Sequence, residues 1–474
     1  VDAANATPMF AQYLEIKEQY QDTILFYRLG DFYETFFDDA QTAARELELT
    51  LTGRDGGKVM GRVPMAGIPY HAADNYIGRL IERGYKVAIC EQMEDPRAAK
   101  GLVKRDVTRV ITPGTIVEPK MLQEKRNNFL CAVSFGKTGF GLAVSDLSTG
   151  EFAACELGGA DGLRLLIDEI GRLEPAEVIL EPGLEGEPRL TGALKLWGVP
   201  FSKFDGKHFG RGNAYRRLTD HFGVPTLHGF GCEELELATG AAGAALAYLA
   251  ETQKTTLSHI AGLAIYFPGQ FMAVDAATRR NLELTRSIRD GGRRGTLLWV
   301  MDRTVTSMGA RLLKTWLERP LLSLPEIVGR HEAVGELVNR PTLRSDLRAL
   351  LDDVHDLERL AGRIAYGNAN AKDLIALRHS LVTLPSIRVL LDDVAGERLG
   401  ALRDTLDMLD DVRDLIEQAI EEEPSLAVTE GGIIKGGYNA EVDQLRTVAR
   451  EGKSWIAALE TREREKTGIK SLKI

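Results

Sequence analysis

Phe26-Tyr-Arg-Leu-Gly-Asp-Phe-Tyr-Glu-Thr-Phe-Phe37 is the stretch on which the N-terminal fold turns. It leaves the apolar run Thr23-Ile-Leu-Phe-Tyr-Arg28, which reads as a strand, and meets a turn at Gly30. With a helix N-cap at Asp31, residues Tyr33, Phe36, Phe37, Ala40, Ala44 and Leu47 form one core-facing stripe of a helix running to Glu48. Phe32 and Glu34 fall off that stripe, and Glu34 joins Asp38, Gln41 and Arg45 on a wet face. The expectation is therefore a large aromatic exposed at a helix start beside a free carboxylate. Two plainer readings stand next to it: Glu34 closing a capping box with Asp31, and Phe32 packing on Phe36.

Working outward, a helix from Pro8 to Tyr20 precedes the strand, and a Gly-rich loop follows with Gly53, Gly56, Gly57 and Gly61. A helix near Ala72–Arg83 and the strand Lys86-Val-Ala-Ile-Cys90 come next, an α/β alternation. The Pro/Gly turn and polar residues of 111–126 read as a linker. Short strands Asn128–Phe135, Phe140–Asp146 and Gly150–Glu156 then form a meander, and a helix (Asp161–Arg172) and the strand Glu177–Leu180 follow. From about residue 232 the period becomes helical, with an apolar break near Ile265–Phe271. Long amphipathic stretches cover 295–319, 324–339, 343–366, 371–391 and 398–421. Asn439–Thr467 is polar apart from Val442, Leu445, Val448, Trp455 and Leu459, so it reads as a helix that projects or bridges.

The chain has 474 residues, of which 44% are hydrophobic and 27% charged, enough for about three domains and against wholesale disorder. It has no uninterrupted apolar run of membrane-spanning length, no signal-peptide layout over Val1–Phe10, and four scattered cysteines without a CxxC pair. A cytoplasmic location is expected. The net charge of −10 argues at first against a polyanionic partner, but it is segregated. Residues 401–430 carry ten acids against Arg403 and Arg413, whereas 279–320 carries ten bases against four acids. A smaller basic cluster comprises Arg97, Lys100, Lys104, Arg105 and Arg109. Binding follows local potential, so nucleic acid stays open; a solvated helix face is the plainer reading of both charge runs.

Gly30-Asp-Phe-Tyr-Glu34, Pro64-Met-Ala-Gly-Ile-Pro-Tyr-His71, Ala88-Ile-Cys-Glu-Gln92 and Thr112-Pro-Gly-Thr115 resemble the bacterial MutS family of DNA mismatch-repair proteins. The resemblance runs on through Gly295-Thr-Leu-Leu-Trp-Val-Met-Asp-Arg-Thr304, Met308-Gly-Ala-Arg-Leu-Leu313 and Thr461-Arg-Glu-Arg-Glu-Lys-Thr-Gly468. It implies a multidomain α/β plus all-α chain. The parts are a mixed α/β mismatch-recognition domain (1–112), a linker (113–126) and a ribonuclease-H-like α/β connector (127–258). A helical core/lever domain (259–440) and a lever helix leading to a truncated clamp (441–474) complete it. The family's Phe-x-Glu pair falls on Phe32 and Glu34, as wedge and base contact for mismatched duplex DNA. Arg54, Lys58 and Arg62 on the Gly-rich loop, with Met65 after it, are candidate contacts to the DNA backbone. The resemblance further implies a homodimer, MutL as partner, and ATP and Mg bound in a C-terminal ATPase domain. That domain is expected to lie beyond Ile474, making the chain a non-enzymatic, mostly monomeric portion without cofactor or metal.

Other motifs are weaker. Glu451-Gly-Lys-Ser454 ends like a phosphate-binding loop, but Thr447 stands where the required Gly would be and no strand precedes it. Asp146 is where a metal-dependent nuclease of ribonuclease-H-like fold would place a carboxylate, the alternative function considered; Asp168, Glu169, Glu177 and Glu181 are the acids on hand. A turn-proximal structural role is the plainer reading of Asp146. The histidines, His71, His208 and His259 among them, show no metal-binding spacing.

Overall fold

In the computed structural model, residues 6–57, 60–94, 101–426 and 428–469 are described, with the side chain of Lys453 excepted. The chain forms two compact units, Val1–His331 with Ala361–Gly367, and Glu332–Leu360 with Asn368–Ile474.

The first unit opens with α1 (Pro8–Gln19), β1 (Ile24–Leu29) and β2 (Phe32–Phe36), followed by α2 (Phe37–Leu47). Then come β3 (Thr52–Asp55), β4 (Arg62–Pro69), α3 (Ala73–Glu82), β5 (Val87–Gln92) and β6 (Arg105–Ile111). The strands form one mixed sheet in the order β3-β4-β2-β1-β5-β6. The expected helix from Asp31 is corrected here: residues 32–36 are a strand antiparallel to β1, with Leu29 opposite Phe32, and Gly30 and Asp31 are the loop of a hairpin. Gly30 takes φ +57°, the positive value a two-residue hairpin loop asks of its first residue. Tyr33 is buried under one face of the sheet and Phe36 under the other, so the strand lacks the alternation that would mark it. The helix begins only at Phe37, itself at φ +54°, a left-handed turn held in place by packing against Phe10 and Tyr13. The Asp31–Glu34 capping box does not form. The Gly-rich loop is likewise the β3–β4 hairpin.

A second sheet follows: β7 (Phe129–Gly136), β8 (Gly139–Asp146) and β9 (Glu151–Gly158), with α4 (Gly162–Leu173), β10 (Glu177–Leu180), α5 (Pro188–Trp197), β11 (Phe201–Lys203), α6 (Arg211–Phe222), α7 (Glu236–Gln253) and β12 (Ala264–Ile265). Its order is β11-β10-β7-β8-β9-β12: an antiparallel meander extended by parallel strands, the arrangement expected of a ribonuclease-H-like sheet. Alanine- and glycine-rich α7 packs flat on it; a Cβ on Gly141 would stand 2.1 Å from the Leu237 carbonyl oxygen. The stretch 111–117, read as linker, is buried. Its polar groups are satisfied by Glu177, 1% exposed, which accepts from the Thr112 hydroxyl, the Gly114 amide (3.1 Å) and the Tyr248 hydroxyl (2.6 Å), with Lys86 Nζ at 3.5 Å. That carboxylate joins the two sheets.

Beyond it the first unit holds α8 (Ala276–Asn281), α9 (Leu297–Met301) and α10 (Ser307–Glu318). α11 (Leu324–Asn339), α12 (Pro341–Asp352), α13 (Leu357–Tyr366), α14 (Ala371–Leu390), α15 (Glu397–Thr405), α16 (Asp410–Ala419) and α17 (Ala440–Thr467) follow. The stretches 295–319, 343–366 and 398–421 are each broken in two, the first where Asp302 accepts from the Thr304 amide and hydroxyl. In the second unit α14 and α16 enclose a small core of Ala371, Ile416, Ala419 and Ile420. Arg378 binds Glu417 and Glu422 there, so part of the acidic run is internally compensated. No helix of the described residues is long and apolar enough to cross a membrane.

Candidate nucleic-acid interface

Strand alternation sorts the first sheet into two faces. Phe32, Glu34 and Phe36 of β2 share one face with Val63, Met65 and Gly67 of β4 and with Arg54 of β3. α1 covers this face at the Phe36 end, where Phe10 and Tyr13 meet the Phe36 ring edge-on at 5.0 and 5.1 Å. The cover runs out along β2. Phe36 is fully buried, the Glu34 side chain is 15% exposed, and Phe32 beside the hairpin loop is 47% exposed. Phe32 therefore stands out where sequence reading placed it, for a different reason: it ends a strand rather than starting a helix.

Glu34 is neither wet nor free. Its Oε2 accepts from Arg54 Nη1 at 2.7 Å, and the Arg54 side chain is 42% exposed. Opposite Glu34 in β4 is Gly67, where a Cβ would stand 3.5 Å from Glu34 Cγ. Of the backbone-contact candidates, the structure brings Arg54 and Met65 to the Phe32 face. Met65, opposite Phe36, packs against the α1 core. Arg62 lies on the other face, its side chain laid over Gly53. Lys58 lies outside the described residues. The partnership of Arg54 with Glu34 was not read from sequence, because it requires the β3–β4–β2 order that the Gly-rich composition concealed.

The other cationic stretches are partly engaged within the fold, while Arg280, Arg289 and Arg294 are exposed. Arg105 is buried, donating to the Arg28 carbonyl, and Arg109 pairs with Glu118; Arg97 and Lys100 lie outside the described residues. In 279–320, Arg286 and Lys314 pair with Glu174, Arg319 with Glu169 and Arg293 with Asp302. Burial alone would push the Glu174 carboxyl up, but Lys314, Arg286 and Arg126 hold it below its ordinary range.

The acids of the nuclease alternative do not converge. Asp146 caps its own turn, accepting from the Asn128 amide (2.9 Å), the Ser148 amide (2.9 Å) and the Ser148 hydroxyl (2.7 Å). Asp168 accepts from the Ala276 amide, Glu169 binds Arg172, and Glu181 accepts from the Phe135 amide. Among the described residues no group of three or more His, Cys, Asp or Glu is placed to hold a metal ion. His208 sits between Arg217 and Glu251, and His259 binds the Leu147 carbonyl. Glu451-Gly-Lys-Ser454 lies inside α17.

Two mixed α/β sheets, the first presenting an exposed aromatic at a hairpin end, followed by helical segments, define a multidomain α/β plus all-α protein. Family models for MutS domain I, MutS domain II and MutS domain III match residues 7–120, 128–261 and 277–471. The chain belongs to the MutS family. It is 73% identical over 474 residues to the DNA mismatch repair protein MutS of Symbiobacterium thermophilum, covering 100% of this chain and 54% of that protein. To the protein of the same name from Pelotomaculum thermopropionicum it is 53% identical over 470 residues, 98% of this chain and 54% of the relative. To that of Methanosarcina acetivorans it is 46% identical over 483 residues, 99% and 54%. The chain spans about half the length of the curated relatives it matches. The matched models are domains I to III, and no ATPase model is among them.

Proposed function

We propose that the chain recognises mismatched or unpaired bases in duplex DNA, as the first step of mismatch repair, through residues 1–112. Phe32 enters the base stack as an apolar wedge and Glu34 hydrogen-bonds a base edge at the wedged step. The observation that carries this reading is the exposure gradient along one face of β2, which leaves Phe32 as a large apolar group projecting beside a hairpin loop. A wedge of this kind unstacks a base step and kinks the duplex, at a cost of a few kcal/mol that is smaller where pairing is already lost. It reads deformability rather than sequence. Arg54, Arg62, Lys58 and Met65 remain proposed neighbours of the DNA, with Arg62 reaching it from the opposite face. Residues 127–258 serve as connector and 259–474 as core and lever. The homodimer, MutL partnership, ATP coupling and cytoplasmic location belong to the same proposal at the length of the whole relatives; this chain alone is mostly monomeric.

The test is equilibrium binding to a homoduplex and to the same duplex carrying one unpaired thymine, across a salt series. The chain binds weakly, with affinity that falls steeply with salt, and with a modest preference for the unpaired base. Phe32→Ala brings the two affinities to parity. Preserved preference in that variant overturns the wedge.

A further inference from the structure

Resting on that reading of Glu34, we propose that the Glu34–Arg54 ion pair is an exchange device that sets specificity. Arg54 is withheld from the DNA backbone while Glu34 holds it, and is transferred to a phosphate when Glu34 turns to a base edge.

The geometry supplies each part. Arg54 is on β3, the edge strand of the sheet, and reaches across β4 to Glu34 on β2. Arg54 is opposite Val63 and Glu34 opposite Gly67, so the guanidinium reaches diagonally past Met65 to a carboxylate that no β4 side chain crowds at its own position. The contact is single: Nη1 donates to Oε2 at 2.7 Å. A guanidinium has five N–H donors and a carboxylate two acceptor oxygens, so a pair joined by one bond keeps capacity on both sides. The Arg54 side chain is 42% exposed and that of Glu34 15%, so the guanidinium end of the pair reaches solvent, where an ion pair is weak enough to break. Glu34, an acceptor-only group, takes as its replacement donor a ring N–H, such as thymine N3–H, which a base exposes only when it is unpaired or mispaired. On paired duplex the ring N–H is committed to the opposite base, Glu34 keeps Arg54, and the phosphates meet a neutral pair. At a mismatch the base takes Glu34 and the freed guanidinium adds one phosphate contact. One residue pair thereby couples base reading to backbone grip, and the grip is added only at the correct site.

The discriminating experiment is a double-substitution cycle in the whole 474-residue chain, measuring affinity and its salt slope on homoduplex and on duplex with an unpaired thymine. In the unsubstituted chain the log–log salt slope is steeper on the unpaired-thymine duplex by about 0.9, the signature of one further phosphate neutralised. Glu34→Gln frees Arg54 everywhere: homoduplex affinity rises about fivefold, and the homoduplex slope steepens to match the other. Adding Arg54→Ala to Glu34→Gln abolishes that gain, whereas Arg54→Lys retains most of it. If Glu34→Gln raises homoduplex affinity equally with and without Arg54, simple relief of carboxylate–phosphate repulsion is the cause and the exchange is overturned. Equal salt slopes on both duplexes in the unsubstituted chain overturn it as well. Arg54→Ala that weakens both duplexes alike, with its effect unchanged by Glu34→Gln, makes Arg54 a permanent backbone contact and also overturns it. The homoduplex arm does not involve the wedge, so failure of the Phe32 reading shows separately, as preference surviving Phe32→Ala. Thermal melting of each variant, with Arg54→Lys as the conservative control, separates loss of fold from loss of exchange.

Discussion

At the scale of single residues, Phe32 and Glu34 are legible in the sequence as an anomaly: an aromatic and a carboxylate that fit no buried stripe. Their setting was not legible. Glu34 is committed to Arg54 rather than to solvent, and a salt bridge between residues twenty positions apart leaves no trace in local periodicity. The hairpin loop that aims Phe32 hangs on Gly30, whose φ of +57° suits glycine and whose missing Cβ would meet nothing within 4 Å. A Gly30→Ala substitution therefore carries only the backbone penalty of the left-handed region, about 1 kcal/mol. That strain falls on the hairpin. Hydrogen exchange of the Phe32–Phe36 amides should accelerate about fivefold, with amides of the second sheet unaffected. Equal protection in both proteins would mean the loop does not set the position of the wedge.

At the scale of elements, the meander β7–β8–β9 was readable because its turns carry Gly136-Lys-Thr-Gly139 and Ser148-Thr-Gly150 between runs of strand formers. β2 was not, for a physical reason. A central strand buried on both faces loses its two-residue alternation, and Tyr33, Phe36 and Phe37 then satisfy a helical template by coincidence. β3, with the sequence Thr-Gly-Arg-Asp, has no large apolar residue and reads as loop; it exists because β4 offers it an edge. The burial of β2 depends on α1, which closes the Phe36 end of the face. Phe10→Ala removes the edge-on contacts to Phe36 (5.0 Å) and Phe37 (5.9 Å) and opens a cavity in a fully buried site, a cost of about 3–5 kcal/mol. The left-handed Phe37 loses part of the packing that holds it. We expect the first sheet to unfold in a separate, earlier thermal transition in this variant, followed by near-ultraviolet circular dichroism. A single transition at the original temperature would show that α1 is not what secures the face.

At the scale of the molecule, long amphipathic stretches announced the helical part, but not the buried ionic joints that fix the first unit. Glu169 on α4 is the clearest of these. Its oxygens accept from Arg172 (2.7 and 3.0 Å), Arg319 (2.7 Å) and the Tyr266 hydroxyl (2.9 Å), tying the second sheet to the segment after α10. Burial by itself would raise the Glu169 carboxyl, but the two guanidiniums prevail and bring it down to about 2. A carboxyl lowered in the folded state contributes stability that is complete above its unfolded value of about 4.3 and is lost as pH falls from there toward the folded value. The first unit should therefore lose stability between about pH 4.5 and pH 2. Glu169→Gln accepts fewer hydrogen bonds and leaves Arg172, which is buried, without its countercharge, so at neutral pH it destabilises by about 3–5 kcal/mol. Its remaining stability should vary less over the acid window than that of the unsubstituted chain, since the titrating group is gone. Unfolding temperatures measured from pH 7 to pH 2 should accordingly converge as the solution is acidified. Parallel curves across that window would locate the acid sensitivity elsewhere and remove Glu169 as the joint between the second sheet and the helices that follow it.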